Sequence, residues 1–230
     1  MTRPALIGGA ALAAAWSAPA LAPIAEPVAR GLRVDRRISR GDAVAVTFDD
    51  GPHPEGTPAV LEALERGGAR ATFFLVGEQI ERTGSLAAEV VAAGHAIAIH
   101  GYRHRNQLRL SSGQLDDDYS RAEAVIVDAT GVRPATYRPA YGIFSWPGLA
   151  LARRRGWTPL LWSRWGRDWA RSATPESIAA KVTEDLQGGD VLLLHDADTY
   201  SAPGSHQRTA EALPRVLEEI ERRGLDTDAL

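Results

Sequence analysis

Two neighbouring carboxylates, Asp49 and Asp50, stand in the stretch Thr47-Phe48-Asp49-Asp50-Gly51-Pro52, directly after the apolar run 43–48. Consecutive side chains of an extended chain point to opposite faces. Both carboxylates can therefore serve one pocket only where the chain turns, and Gly-Pro is a turn signal. One of them would then bind a cation while the other stays free as a base; the same residues would also make an ordinary acidic turn. His100 and His104 follow the apolar run 96–99. Their spacing lets both imidazoles reach one ion from a helical turn or a tight loop, although unrelated surface histidines are the plainer alternative. With Asp50 they form a His₂-Asp donor set that suits Zn²⁺ and similar divalent ions and leaves a coordination position open. His195 ends the apolar run Val191-Leu192-Leu193-Leu194, where it reads as a proton donor or as a satisfied core histidine.

The elements that must position these residues alternate in type. Strands are expected at 43–48, 71–76, 96–99, 136–138, within 157–163 and at 191–195. Helices are expected at 57–66, 85–93, 114–129, 146–155, from Pro175 behind a Thr174 cap, and at 209–223. Repeated β-α alternation calls for a parallel sheet with helices outside. Six strands fall short of a complete eight-fold barrel, so the expected fold is a single α/β domain built as a distorted or incomplete (β/α) barrel. In such folds the C-terminal strand ends meet on one face, where active sites lie. Asp49, Asp50, His100, Arg138, Asp168 and His195 all fall at or just beyond predicted strand ends.

Composition narrows the remaining choices. The chain has 230 residues, 44% apolar and 24% charged, with a formal net charge of -3; this argues against a nucleic-acid partner, for which a basic excess is expected. The absence of cysteine removes disulfides, thiol catalysis and Cys-based metal sites. Arg3, the uncharged Ala-rich stretch behind it and Ala18-Pro19-Ala20 read as a signal peptide or membrane anchor over 1–25. That places the protein outside the cytoplasm, in the cell envelope or the extracellular space, with the anchor as a possible membrane attachment. Residues 26–40 read as a polar linker and 41–230 as the functional domain. No internal repeat is visible, and nothing in the pattern specifies an oligomer.

The motifs TFDDGP, H-x-x-x-H, R-P-x-Y-G, R-D-W and L-L-L-H-D occur in this order, and from Ala43 to about Gly224 the chain resembles the polysaccharide deacetylase family, carbohydrate esterase family four. The resemblance implies a distorted (β/α) barrel and a metal-dependent hydrolase that removes N-acetyl groups from glycans containing N-acetylglucosamine. It implies Asp49 as the base, His195 as the acid, and Asp50, His100 and His104 as ligands of Zn²⁺, with Co²⁺ or Mn²⁺ as alternatives. It further implies that Arg138 holds the base, Asp168 orients the acid, the Tyr141 backbone N–H faces the oxyanion, and Trp169 and Leu193 wall the acetyl methyl. Gly101, Ala140 and Trp165 depart from the family pattern, standing where Ser or Thr, Pro and Asp are usual. Trp162 is expected in the core and Trp165 in the cleft. His53 and His95 read as turn and helix-end residues, 116–118 as a solvated helix face, and Asp198, Tyr200 and Ser205 as a loop that either rims the site or is plain surface. Competing readings are an O-acetyl esterase on acetylated glycans, a metal-free amidase and a non-catalytic glycan-binding relative. A complete set of ligands, base and acid argues against the last two.

Overall fold

Apolar runs without polar interruption become strands covered on both faces, as parallel strands generally are. In the computed structural model of the chain, which describes residues 17–230, every residue of β1 (Ala43–Asp49) and of β2 (Ala71–Leu75) is buried. Beyond β2 lie β3 (Ala96–Ile99), β4 (Thr136–Tyr137) and β5 (Thr158–Pro159). On the other side of β1 lie β7 (Val191–His195) and then β6 (Arg164–Trp165). The order β5-β4-β3-β2-β1-β7-β6 is parallel throughout, a curled half-barrel in a single α/β domain. A short β8 (Asp226–Thr227) pairs with the start of β1.

The helices among the described residues are α1 (Glu26–Gly31), α2 (Gly56–Arg66), α3 (Gly77–Thr83), α4 (Leu86–Ala92), α5 (Ser112–Thr130), α6 (Trp146–Arg154), α7 (Pro175–Val182) and α8 (Ser205–Arg222). Local chemistry sets their ends. Ser111 and Gln114 exchange side-chain to backbone hydrogen bonds at the start of α5, a capping box, and Gly131 closes that helix with φ 71°. α8 buries Thr209, Ala212, Leu213, Val216, Leu217 and Ile220, one apolar stripe of a surface helix.

The fold differs from the sequence expectation in three places. The strand expected within 157–163 is two strands, β5 and β6, at opposite edges of the sheet. α3 and β8 carry no signal of their own in the sequence. The third difference is the segment 26–40, expected as a polar linker. Glu26–Gly31 is helical, and Ala22, Ala29 and Val34 belong to the core. Asp35 bridges Leu160 in parallel, beside β5, and Arg37 bridges Asp190 in antiparallel, beside β7 and β6. The Ile38 N–H donates to Gly189 O at 2.9 Å, and the Leu161 N–H donates to Asp35 O at 2.7 Å. The segment therefore ties together the two open edges of the half-barrel. Three small apolar residues spaced among arginines are a weak pattern, which is why the linker reading failed. The leader expected over 1–25 lies largely outside the described residues; among those residues no helix is long and apolar enough to cross a membrane.

Candidate active site

Strand register brings the chemistry together. Asp49, the last residue of β1, pairs with His195, the last of β7. His100 follows β3, and Arg138 follows β4, which is paired to β3 through Ile99 and Tyr137. Asp50 has φ 78°, a left-handed conformation uncommon outside glycine; it is the turn that lets both carboxylates enter one cleft. Gly51 follows because nothing larger fits: a Cβ there would lie 2.5 Å from the Asp196 carboxylate.

The fixed part of the site is built around Arg138, which is fully buried. Its guanidinium donates to Asp49 Oδ1 at 2.6 Å, to Thr47 Oγ1 at 2.9 Å, and to the carbonyls of Leu160 at 3.1 Å and Leu161 at 2.9 Å. It also lies 3.9 Å from the Phe74 ring centroid. Asp49 is thus held at one oxygen by a charge-assisted bond, and its other oxygen is free of that grip.

Asp50, His100 and His104 converge, with one donor atom from each within 4.8 Å of the others. Asp50 Oδ1 is 3.4 Å from His100 Nε2 and 3.3 Å from His104 Nε2, yet it is buried and makes no hydrogen bond. Donors 2.0 to 2.1 Å from a tetrahedral zinc stand about 3.3 to 3.4 Å apart. The spacing is that of ligands around a cation, so the residues present fit the expected ion. The tautomer agrees: His100 Nδ1 donates to Arg138 O at 2.9 Å, which leaves the Nε2 lone pair directed at Asp50. Burial, with only partial opposition from Asp50, lowers His104 to about 4, so it is neutral and able to ligate at ordinary pH. Asp50 is held at about 2 despite the opposing effect of its burial, with the His195 imidazole, kept charged by Asp168, among the groups that hold it there.

The acid candidate is held from behind. His195 Nδ1 donates to Asp168 Oδ1 at 2.9 Å, while Asp168 Oδ2 accepts from the His195 backbone N–H at 2.7 Å and from Thr209 Oγ1 at 2.8 Å. His195 Nε2 is left toward the cleft, 4.0 Å from Asp50 Oδ2. Burial alone would lower this imidazole; the charge and hydrogen bond of Asp168, then Asp50 and Asp49, raise it to about 10.

The cleft has a volume of about 340 Å³ and is walled by Tyr141, Trp165, Trp169 and Leu193. Tyr141 has φ 60°, a strained backbone of the kind found at functional sites. Trp162 is buried, as expected, yet its ring still reaches the cleft, and Trp165 is 40% exposed. The Trp162, Trp165 and Trp169 rings follow one another at 5.9 and 5.5 Å, and Trp169 meets His195 edge-on at 5.5 Å.

Two groups of residues escaped the sequence reading. Asp118, expected on a solvated face, is buried. It accepts from the backbone N–H groups of Tyr102 at 2.9 Å and Arg103 at 3.3 Å and from Arg105 Nη2 at 2.7 Å. It thereby fixes the loop that carries both histidines. It also accounts for Gly101, which has φ 92° and where a Cβ would approach Asp118 Oδ2 to 3.0 Å. Helical periodicity could have placed Asp118 inward, beside Leu115 and Ala122. The second group is His53, Asp198 and His206, whose donor atoms also lie within 4.8 Å. His53 Nδ1 accepts from the N–H groups of Glu55 at 3.3 Å and Gly56 at 3.0 Å. Its proton is therefore on Nε2, 3.3 Å from Asp198 Oδ1. That tautomer offers a cation no lone pair, and the trio instead sets two imidazoles against one carboxylate, with His206 Nδ1 of α8 3.2 Å from Asp198 Oδ2. His95, buried against Phe73, plays the structural part expected of it.

Fold and cleft define a class of barrel-like α/β protein that collects carboxylates and imidazoles at its strand ends. The chain belongs to the polysaccharide deacetylase family, whose family model matches residues 36–160. It is 33% identical over 184 residues to a protein of Bacillus cereus named peptidoglycan-N-acetylglucosamine deacetylase, covering 79% of this chain and 83% of that one. It is 32% identical over 200 residues to a chitooligosaccharide deacetylase of Bradyrhizobium, covering 84% and 91%. Its fold matches the family 4 carbohydrate esterase from Streptomyces lividans in complex with acetate, with a TM-score of 0.73, 31% identity and 82% and 93% coverage.

Proposed function

We propose that the chain hydrolyses the acetamide of N-acetylglucosamine units in a glycan, releasing acetate and leaving a free amine on the sugar. The observation that carries this reading is the meeting of Asp49 and His195 with the Asp50-His100-His104 cluster in one cleft, Asp49 fixed at Oδ1 by Arg138 and His195 at Nδ1 by Asp168. Asp50, His100 and His104 would hold a divalent cation, zinc by the nature of the donors, with cobalt or manganese as alternatives. Such an ion would supply Lewis-acid polarisation at the scissile carbonyl.

The chain's own residues supply the proton transfers. Asp49, held at Oδ1 by Arg138, takes a proton from the attacking water. The Tyr141 backbone N–H donates to the oxygen on which charge develops, as preorganised donors do in acyl transfer. His195, kept protonated by Asp168, gives its Nε2 proton to the departing nitrogen. Trp169 and Leu193 enclose the methyl group. The leader read in residues 1–25 fits an exported or membrane-tethered enzyme that meets its glycan in the cell envelope.

Acetate release from chitooligosaccharides, peptidoglycan strands and acetylated xylan, before and after chelation and zinc return, tests the reading. The expected result is release from the N-acetylated glycans that chelator stops and zinc restores. Release from acetylated xylan alone would replace the amidase reading with an esterase one. Turnover unaffected by thorough chelation would overturn the assignment of Asp50, His100 and His104.

A further inference from the structure

His100 and His104 are held in different ways. His100 Nδ1 donates to Arg138 O at 2.9 Å. His104 Nδ1 is buried and has no hydrogen-bond partner among the described residues. A histidine that ligates a metal through one nitrogen almost always anchors the other, which fixes the orientation of the ring. His104, with Nε2 3.3 Å from Asp50 Oδ1, lacks that anchor, so its plane must be fixed by something else.

Two tyrosine rings pack against it. The Tyr200 ring lies nearly parallel to the imidazole, 14° apart with centroids at 4.3 Å, and Tyr141 meets it edge-on at 4.4 Å. Stacked and edge-on contacts are the two arrangements that aromatic rings prefer. Tyr200 comes from the loop between β7 and α8, which rims the cleft through Tyr200 and Ser201. The ring is itself fastened. Its hydroxyl donates to Glu78 Oε1 at 2.9 Å and accepts from Gln79 Nε2 at 2.9 Å. Both partners lie at the start of α3, where the N–H groups of Gly77 and Glu78 donate to the carbonyls of Gly101 and Tyr102 at 3.0 and 2.9 Å. The loop that carries His104 and the tyrosine stacked on it are therefore moored to one helical turn. Asp198 braces the tyrosine loop from its other side: it accepts from the Gly204 N–H at 2.6 Å and lies 3.3 Å from His53 Nε2 and 3.2 Å from His206 Nδ1.

From this geometry we infer that Tyr200 is a positioning residue for His104, its stacked ring doing for this imidazole what the Arg138 carbonyl does for His100. The inference rests on the reading of His104 as a cation ligand. It gives the loop after β7 a part in cation binding although that loop supplies no ligand. Tyr200 acts through its ring, and the hydroxyl serves to hold the ring in place.

The test is a competition titration of zinc on the full chain and on Tyr200→Leu, Tyr200→Met, Tyr200→Phe and His104→Ala, with the visible absorption of the Co²⁺-loaded proteins as a second readout. Leu and Met fill the space without a ring; Phe keeps the ring without the hydroxyl. Tyr200→Leu and Tyr200→Met should each weaken zinc roughly two- to tenfold and shift the Co²⁺ bands, while Tyr200→Phe should keep most of the affinity and the spectrum of the unmodified chain. Unchanged zinc affinity and Co²⁺ bands in the ring-free variants would overturn the role. So would a loss in Tyr200→Phe equal to that in Tyr200→Leu, because the effect would then come from the hydroxyl's bonds and not from the stack. His104→Ala separates the two levels. If it loses zinc while the ring-free variants keep it, His104 stands as a ligand and only the role of Tyr200 falls; if it keeps zinc, both fall. Melting temperatures of the zinc-free proteins show which variants are folded, and either ring-free variant carries the comparison should the other fail to fold.

Discussion

At the scale of single residues, the candidate site fixes one side of each polar group and leaves the other free. Arg138 holds Asp49 at Oδ1, Arg138 O holds His100 at Nδ1, and Asp168 holds His195 at Nδ1. The third contact has a pH signature. The His195 pKa is raised from 6.5 to about 10, so protonation of this residue favours the folded state. That stability is complete below about pH 6.5 and is lost as pH rises through about 10. A bound cation would cancel much of the share owed to Asp50 and Asp49, while the share from Asp168, which lies behind the ring, would persist. Asp168→Asn should therefore move the alkaline limb of the kcat/KM profile down by about one to three pH units and lower the plateau by about a hundredfold. An alkaline limb that stays in place in this variant would show that Asp168 does not tune the acid.

At the scale of elements, the loop that carries the proposed ligands His100 and His104 depends on a helix that contributes neither. Asp118 on α5 receives two backbone N–H groups and one guanidinium from the loop between His100 and Asn106. Supports of this kind typically contribute 10- to 100-fold to metal affinity. Asp118→Ala should weaken zinc by about that factor in a competition titration and lower the melting temperature, while Asp117→Ala, on an exposed neighbouring position, should do neither. Equal zinc affinity in the two variants would remove Asp118 from the ligand scaffold. Asp118 also marks the boundary of what could be read from residue order. Asp49, Asp50, His100 and His195 were legible because each follows an apolar run, and an apolar run ending in Asp or His stands out. Asp118 was not, because one buried carboxylate in Asp116-Asp117-Asp118 resembles a hydrated cluster until its partners are placed. β4, β5 and β6 have two residues each. Strands that short owe their existence to their neighbours, so local pattern could neither bound them nor reveal that one expected strand was two.

At the scale of the whole molecule, an incomplete barrel must do something with its two open edges, because unpaired strand edges are a liability. Here the segment leading into β1 occupies the gap: Asp35 bridges Leu160 on one side, Arg37 bridges Asp190 on the other, and Arg36 Nε donates to Trp162 O at 3.0 Å between them. Leu160, Leu161 and Trp162 surround this closure, and Leu160 and Leu161 are also the carbonyls that hold Arg138. Closure and the proposed base, Asp49, are thus connected through one short stretch of backbone. Val34, 4% exposed and part of the core, is the residue to probe. Val34→Ala removes two buried methyl groups, a loss of about 1.5 to 2 kcal/mol, which in a chain of this size lowers the melting temperature by several degrees. Ser39→Ala, on an exposed position of the same segment, should change stability by less than about 0.5 kcal/mol. Paired thermal melts decide the matter. If both variants melt with the unmodified protein, 26–40 is a solvated tether after all. If Val34→Ala alone melts early, the barrel is closed by the residues that precede its first strand.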